Sequence, residues 1–122
     1  MDAKKLACPC CGESKMSAEF VAIVDVLGGL FGKPLNISSG YRCPSHNAAV
    51  GGETNSVHCV GHAVDIMVCG MDSYRLIRIA SRMAFTGMGV SQRGDHNKRF
   101  IHLDDAADSP ELKRPRPWVW SY

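Results

Sequence analysis

Residues 62–69, HAVDIMVC, alternate in a way that fits one extended strand. Val64, Ile66 and Val68 fall on one face, and Ala63, Asp65 and Met67 on the other. RFIHLDD (99–105) alternates likewise, with Ile101 and Leu103 opposed to Phe100, His102 and Asp104. Along a strand, His102 and Asp104 stand about 6–7 Å apart. The apolar residues belong in a core, so each strand carries ionisable groups on its other face. If the two strands are neighbours, Asp65 and His102 meet on that face. His58 lies upstream in a glycine-bounded loop that can fold over it. Two neutral imidazoles and one carboxylate form a standard three-ligand catalytic zinc set, with the fourth position left for water. His62 falls on the Val64 side and ranks below His58 as a ligand. Cys59 and Cys69 read as packed thiols.

The other segments place these strands in an α+β domain with a mainly antiparallel sheet and flanking helices. MSAEFVAIVDVLGGLFG (16–32) has helical apolar spacing and a cap at Ser17. LNISS (35–39) is a short strand, and a short helix begins near Pro44 and stops at Gly51-Gly52. MDSYRLIRIASRMAF (71–85) is a second long helix, capped by Asp72 or Ser73. GMGVSQ (87–92) and RFIHLDD form a hairpin around a polar loop. The tail, KRPRPWVWSY (113–122), is too proline-rich for helix and is expected to pack back on the body. Core packing is the favoured role for Trp118, Trp120 and Tyr122, ahead of a substrate wall.

At 122 residues and 45% hydrophobic, the chain suits a single domain (1–122) with a real core. A net charge of +2 is too mild to argue for nucleic acid, and Lys113, Arg114 and Arg116 alone make a thin footprint. No apolar run approaches membrane-spanning length, so no membrane insertion is expected. MDAKKLACPCCGESK (1–15) lacks the apolar stretch of a secretory signal, so synthesis in the cytoplasm is expected. Within this N-terminal turn, Cys8 and Cys11 form half of a zinc knuckle whose second CxxC pair is missing from the sequence. Reduced thiols are the main expectation there, and a second, structural zinc the lesser one.

SGYRCPSHNAAVGGETNSVHCVGHAVDI followed by RFIHLD resembles the M15 family of zinc D-Ala-D-Ala carboxypeptidases and related peptidoglycan endopeptidases, most nearly the short forms of phages and prophages. The opening CPCCGESKMSAEF and the closing RPWVWSY extend the resemblance over essentially the whole chain. It implies a small α+β fold with a zinc-bearing cleft and one catalytic Zn²⁺ on His58, Asp65 and His102. It also implies that Arg42 of SGYR binds substrate and polarises the scissile carbonyl, and that Ser56 shapes the ligand loop and touches substrate. The implied activity is amide hydrolysis in the peptidoglycan stem peptide by a monomer. The wall is then reached through a holin-type lesion or on a virion.

One departure stands out. Many relatives place a carboxylate three residues before the last histidine ligand as general base, and here that residue is Arg99. Asp104 is the first candidate to take the proton, and His96 or Asp95 the second. Asp104 has two further readings: a carboxylate behind the ligand, or a ligand in place of His102. A cell-wall binding module that keeps the zinc site without turnover is the alternative function.

Overall fold

The computed structural model describes residues 3–122. Four helices and five strands follow in the order α1 (Ala3–Leu6), α2 (Ala18–Phe31), β1 (Ile37–Ser39), α3 (Pro44–Ala49), β2 (Ala63–Met67), α4 (Gly70–Ala80), β3 (Gly87–Ser91), β4 (Phe100–Asp104) and β5 (Trp118–Ser121). The strands form one sheet in the order β1-β2-β4-β3-β5. Three neighbouring pairs are antiparallel, and β3 and β5 are parallel. The sheet is therefore mixed within the expected α+β class.

One face of the sheet is dry. Val64 and Ile66 of β2 and Ile101 and Leu103 of β4 pack against Phe20, Val24, Leu27 and Phe31 of α2 and against Leu76 and Ala80 of α4. Fully burying side chains of this kind contributes about 1.5–3 kcal/mol each, so the alternation seen in the sequence fixes which face turns outward. The α2 helix starts as its spacing predicts, with Ser17 Oγ accepting from the Phe20 N–H at 3.2 Å. It ends where Gly32 takes a left-handed conformation, φ 77°.

Three expectations need correction. The α4 helix begins earlier than its sequence cap signals, with Cys69 at the cap and no side-chain cap bond. Asp72 lies inside its first turn, paired with Lys33 and Arg75, while the Ser73 hydroxyl donates to Gln92. The helix also stops at Ala80, short of Phe85. Finally, the tail does pack on the body, but as a strand whose rings stay out of the core: Trp118 is 56% and Tyr122 50% exposed.

Candidate metal centre

The face opposite the core is organised by register. Asp65 of β2 pairs with His102 of β4, His102 with Gly89 of β3, and Gly89 with Trp120 of β5. In the adjacent row Ala63 pairs with Asp104, Asp104 with Gly87, and Gly87 with Trp118. Both glycines of GMG thus face this side, and both leave room that a neighbour fills. A Cβ on Gly87 would lie 2.3 Å from Asp104 Oδ1, and one on Gly89 2.5 Å from Trp120 Nε1. A glycine inside a strand often marks such a close approach. The Trp120 indole reclines over Gly89 until its ring centroid is 5.2 Å from that of His102.

His58 comes from a 3-10 turn, Val57–Val60, that folds onto the sheet. Ser56 starts the turn, its Oγ accepting from the His58 N–H at 3.2 Å. Gly61 closes it at φ 77°, where a Cβ would meet Lys15 O at 1.9 Å. Both conformation and space exclude a side chain there.

Three atoms converge from these elements. His58 Nε2 lies 3.2 Å from Asp65 Oδ1, His102 Nδ1 lies 3.1 Å from the same oxygen, and the two nitrogens are 3.3 Å apart. The outer nitrogens are both engaged. His58 Nδ1–H donates to the Gly40 carbonyl at 2.7 Å, and His102 Nε2–H donates to Asp104 Oδ2 at 2.7 Å. Because a carbonyl and a carboxylate only accept, each neutral ring turns a lone pair inward. Three electron-rich atoms then face one another, an arrangement that a cation reconciles. Donors about 2.0–2.1 Å from a tetrahedral zinc stand about 3.3–3.4 Å apart, close to the observed triangle. The residues fit the ion in number, type and spacing.

Asp104 is fully buried. Beyond His102 it accepts from Arg116 Nε at 3.0 Å, from Arg116 Nη2 at 2.8 Å and from the Ala106 N–H at 3.2 Å. Burial opposes its ionisation, but His102 and Arg116 outweigh that and hold its carboxyl well below the usual range. Burial likewise opposes the charge on Asp65, and the two histidines reverse it. For His102, burial favours the neutral ring, yet Asp104 and Asp65 raise its pKa. Protons and a metal compete for the inward nitrogens, so metal binding is expected to weaken as the pH falls.

The triangle opens into a cavity of about 640 Å³. Arg42 lines it, with its Nε buried and lacking a hydrogen-bond partner. Ser56 lines it too, as do Trp118, Trp120 and Tyr122. The aromatic tail is therefore a cavity wall rather than core filling. The basic tail residues also turn inward, Arg116 onto Asp104 and Arg114 Nη2 onto the Asn55 carbonyl.

The structure does not place the expected proton acceptors at the cavity. Asp104 stands behind His102 with its oxygens engaged by His102 and Arg116, the arrangement of a carboxylate behind the ligand. His96 and Asp95 sit in the exposed β3–β4 loop, away from the cavity lining. The Arg99 guanidinium donates to Gly94 O within that same loop. His62 pairs with Asp105 at 2.7 Å, outside the triangle. Sequence reasoning missed Arg116, and it missed Glu53, which joins Asp65 as the acidic lining of the cavity among the described residues. The GMG spacing in a strand was the available signal for the close packing around Asp104 and Trp120.

The profile of the Peptidase M15 family matches residues 3–104. Over 67 residues, 52% of this chain, the sequence is 34% identical to a zinc D-Ala-D-Ala carboxypeptidase of Streptomyces albus G. The match covers 26% of that relative's length.

Proposed function

The chain belongs to the peptidase M15 family, and from that premise we propose that it hydrolyses an amide bond of the peptidoglycan stem peptide, with one zinc ion on His58, Asp65 and His102. The observation that carries this reading is the donor triangle, 3.1–3.3 Å on a side, with both histidines locked by their outer nitrogens. Zinc in such a site supplies Lewis acidity and brings the pKa of water from about 15.7 to about 7.

The protein's own groups do the rest. Gly40 and Asp104 fix the tautomers of His58 and His102, and Ser56 fixes the turn that carries His58. Arg42 lines the cavity, where its guanidinium can meet a substrate carboxylate or a carbonyl oxygen gaining charge. Trp118, Trp120 and Tyr122 give the peptide an apolar wall and thin the water around the reacting bond. With Asp104 occupied, Glu53 is the carboxylate on the cavity left to accept a proton and return it to the leaving amine. A Glu53→Gln variant is expected to keep its zinc and its KM while kcat falls about 10²–10⁴-fold. Steady-state kinetics with metal analysis on the same sample checks this, and an unchanged kcat removes Glu53 from the mechanism.

The matched relative's name favours the D-Ala-D-Ala bond. Endopeptidase cleavage, L-Ala-D-Glu or cross-link, uses the same chemistry on the same scaffold. In either case the chain acts as a monomer at the cell wall, in an endolysin-type role reached by holin release or virion delivery. The described residues contain no helix long and apolar enough to cross a membrane. Mass spectrometry of digested muropeptides is the test. We expect loss of terminal D-Ala that a chelator abolishes and added zinc restores. Cleavage that survives chelation overturns the reading. Binding of zinc and wall without any released product converts it to the wall-binding module.

A further inference from the structure

A second group of metal-capable side chains lies outside the cavity: Cys8, Cys10, Cys11 and Cys43, with four sulfurs within 4.8 Å of one another. Cys8 Sγ lies 3.6 Å from both Cys10 Sγ and Cys43 Sγ, and the last two are 3.2 Å apart. Sulfurs about 2.3 Å from a tetrahedral zinc stand about 3.8 Å apart, whereas a disulfide needs about 2.05 Å. The observed spacing is the former kind, and all four are free thiols.

The backbone is shaped around the group. Gly12, at φ 73°, closes a tight turn by donating its N–H to the Cys8 carbonyl at 2.8 Å. The Cys43 N–H points at Cys8 Sγ and the His46 N–H at Cys43 Sγ, each at 3.4 Å. N–H groups aimed at sulfur stabilise thiolate, the form that binds metal. The sequence half-knuckle CPCC lacked a second CxxC. The fold completes it with a third cysteine from the same turn and with Cys43, 35 residues from Cys8.

We propose that Cys8, Cys10, Cys11 and Cys43 bind a structural zinc ion, separate from the ion at His58, Asp65 and His102. Four thiolates leave no open position, so this ion has no part in hydrolysis. Its work is mechanical. Cys43 directly follows Arg42, and the same segment supplies the Gly40 carbonyl that orients His58. The neighbouring Tyr41 N–H donates to the Leu6 carbonyl at 2.9 Å. The ion fastens the N-terminal turn onto the segment that positions the catalytic ligands.

The test uses the full chain, purified anaerobically with reductant, by metal analysis and by absorption after cobalt substitution. Wild type is expected to hold two zinc ions per chain and to show thiolate-to-cobalt charge transfer. Cys43→Ser and Cys10→Ser lose one ion and that band, whereas Cys59→Ser and Cys69→Ser keep both. Asp65→Asn loses the other ion and keeps the band, so failure of the peptidase reading is seen separately. Folded Cys43→Ser and Cys10→Ser proteins with undiminished zinc overturn the proposal. So does a Cys10–Cys43 disulfide in the reduced preparation. If the serine variants do not fold, the wild-type cobalt spectrum decides, and absence of charge transfer overturns it.

Discussion

An Asp65→Asn variant is expected to fold like the parent, to hold no zinc between His58 and His102, and to release no detectable product from peptidoglycan. The substitution keeps the side-chain volume, so the core face of β2, Val64 and Ile66, is untouched. It removes the one negative charge in the donor triangle. It also turns a carboxylate into an amide whose N–H₂ can donate to the inward lone pairs of His58 Nε2 and His102 Nδ1, now 3.2 and 3.1 Å from Oδ1. The site is then satisfied without a cation. Losing the partner of a ligand commonly costs 10–100-fold in metal affinity, and losing a charged ligand is expected to exceed that. Metal analysis, thermal melting and product chromatography on one sample check the three parts. His58→Ala is the less clean variant, because the His58 side chain is buried and truncation adds a cavity. A folded Asp65→Asn protein with full activity places the chemistry elsewhere.

Arg116→Ala has the second large effect, and it reaches the site without touching the triangle. It leaves Asp104, fully buried, with its charge facing only His102 and one backbone N–H. Breaking a buried pair from one side costs about 3–5 kcal/mol, enough to lower the melting temperature substantially. It also removes the guanidinium that lies over the Trp120 ring at 5.1 Å, while β5 keeps its pairing with β3. Arg116 is a positioning residue, acting through Asp104 on His102. A purely structural role predicts loss of stability alone. The positioning role also predicts weaker zinc binding, by about 10–100-fold, in the fraction that stays folded. Arg116→Lys is expected to rescue little, because one ammonium cannot replace the paired Nε and Nη2 donors at 3.0 and 2.8 Å. Zinc affinity by competition, measured well below the melting transition, separates the two. Unchanged affinity in Arg116→Ala leaves Arg116 with packing alone.

The parts of the site legible in sequence were those governed by local alternation. Asp65 and His102 stand out because each interrupts an apolar strand with period two, and the register brings them opposite each other. His58 was a candidate because it lies in a glycine-bounded loop before β2 that can fold over that face, and the family resemblance named it as a ligand. What the sequence hid depends on distant chain. Asp104 shares the predicted face of His102, yet its role is set by Arg116, beyond a proline-rich stretch that conceals β5. The parallel pairing of β5 with β3 has no local signature, so the tail aromatics looked like core. The cysteine half-knuckle was visible, but its fourth sulfur comes from the cap of α3, where only the fold brings it close. Glu53 lies on an exposed loop with no periodicity to mark it.

Anomalous diffraction at the zinc edge, from crystals grown with zinc, tests the arrangement most directly. A peak is expected about 2.0–2.2 Å from His58 Nε2, Asp65 Oδ1 and His102 Nδ1 together. Asp104 is expected to remain on His102 Nε2 and Arg116. A peak ligated instead by Asp104 or His62, or no peak within the triangle while zinc is bound elsewhere, would contradict it.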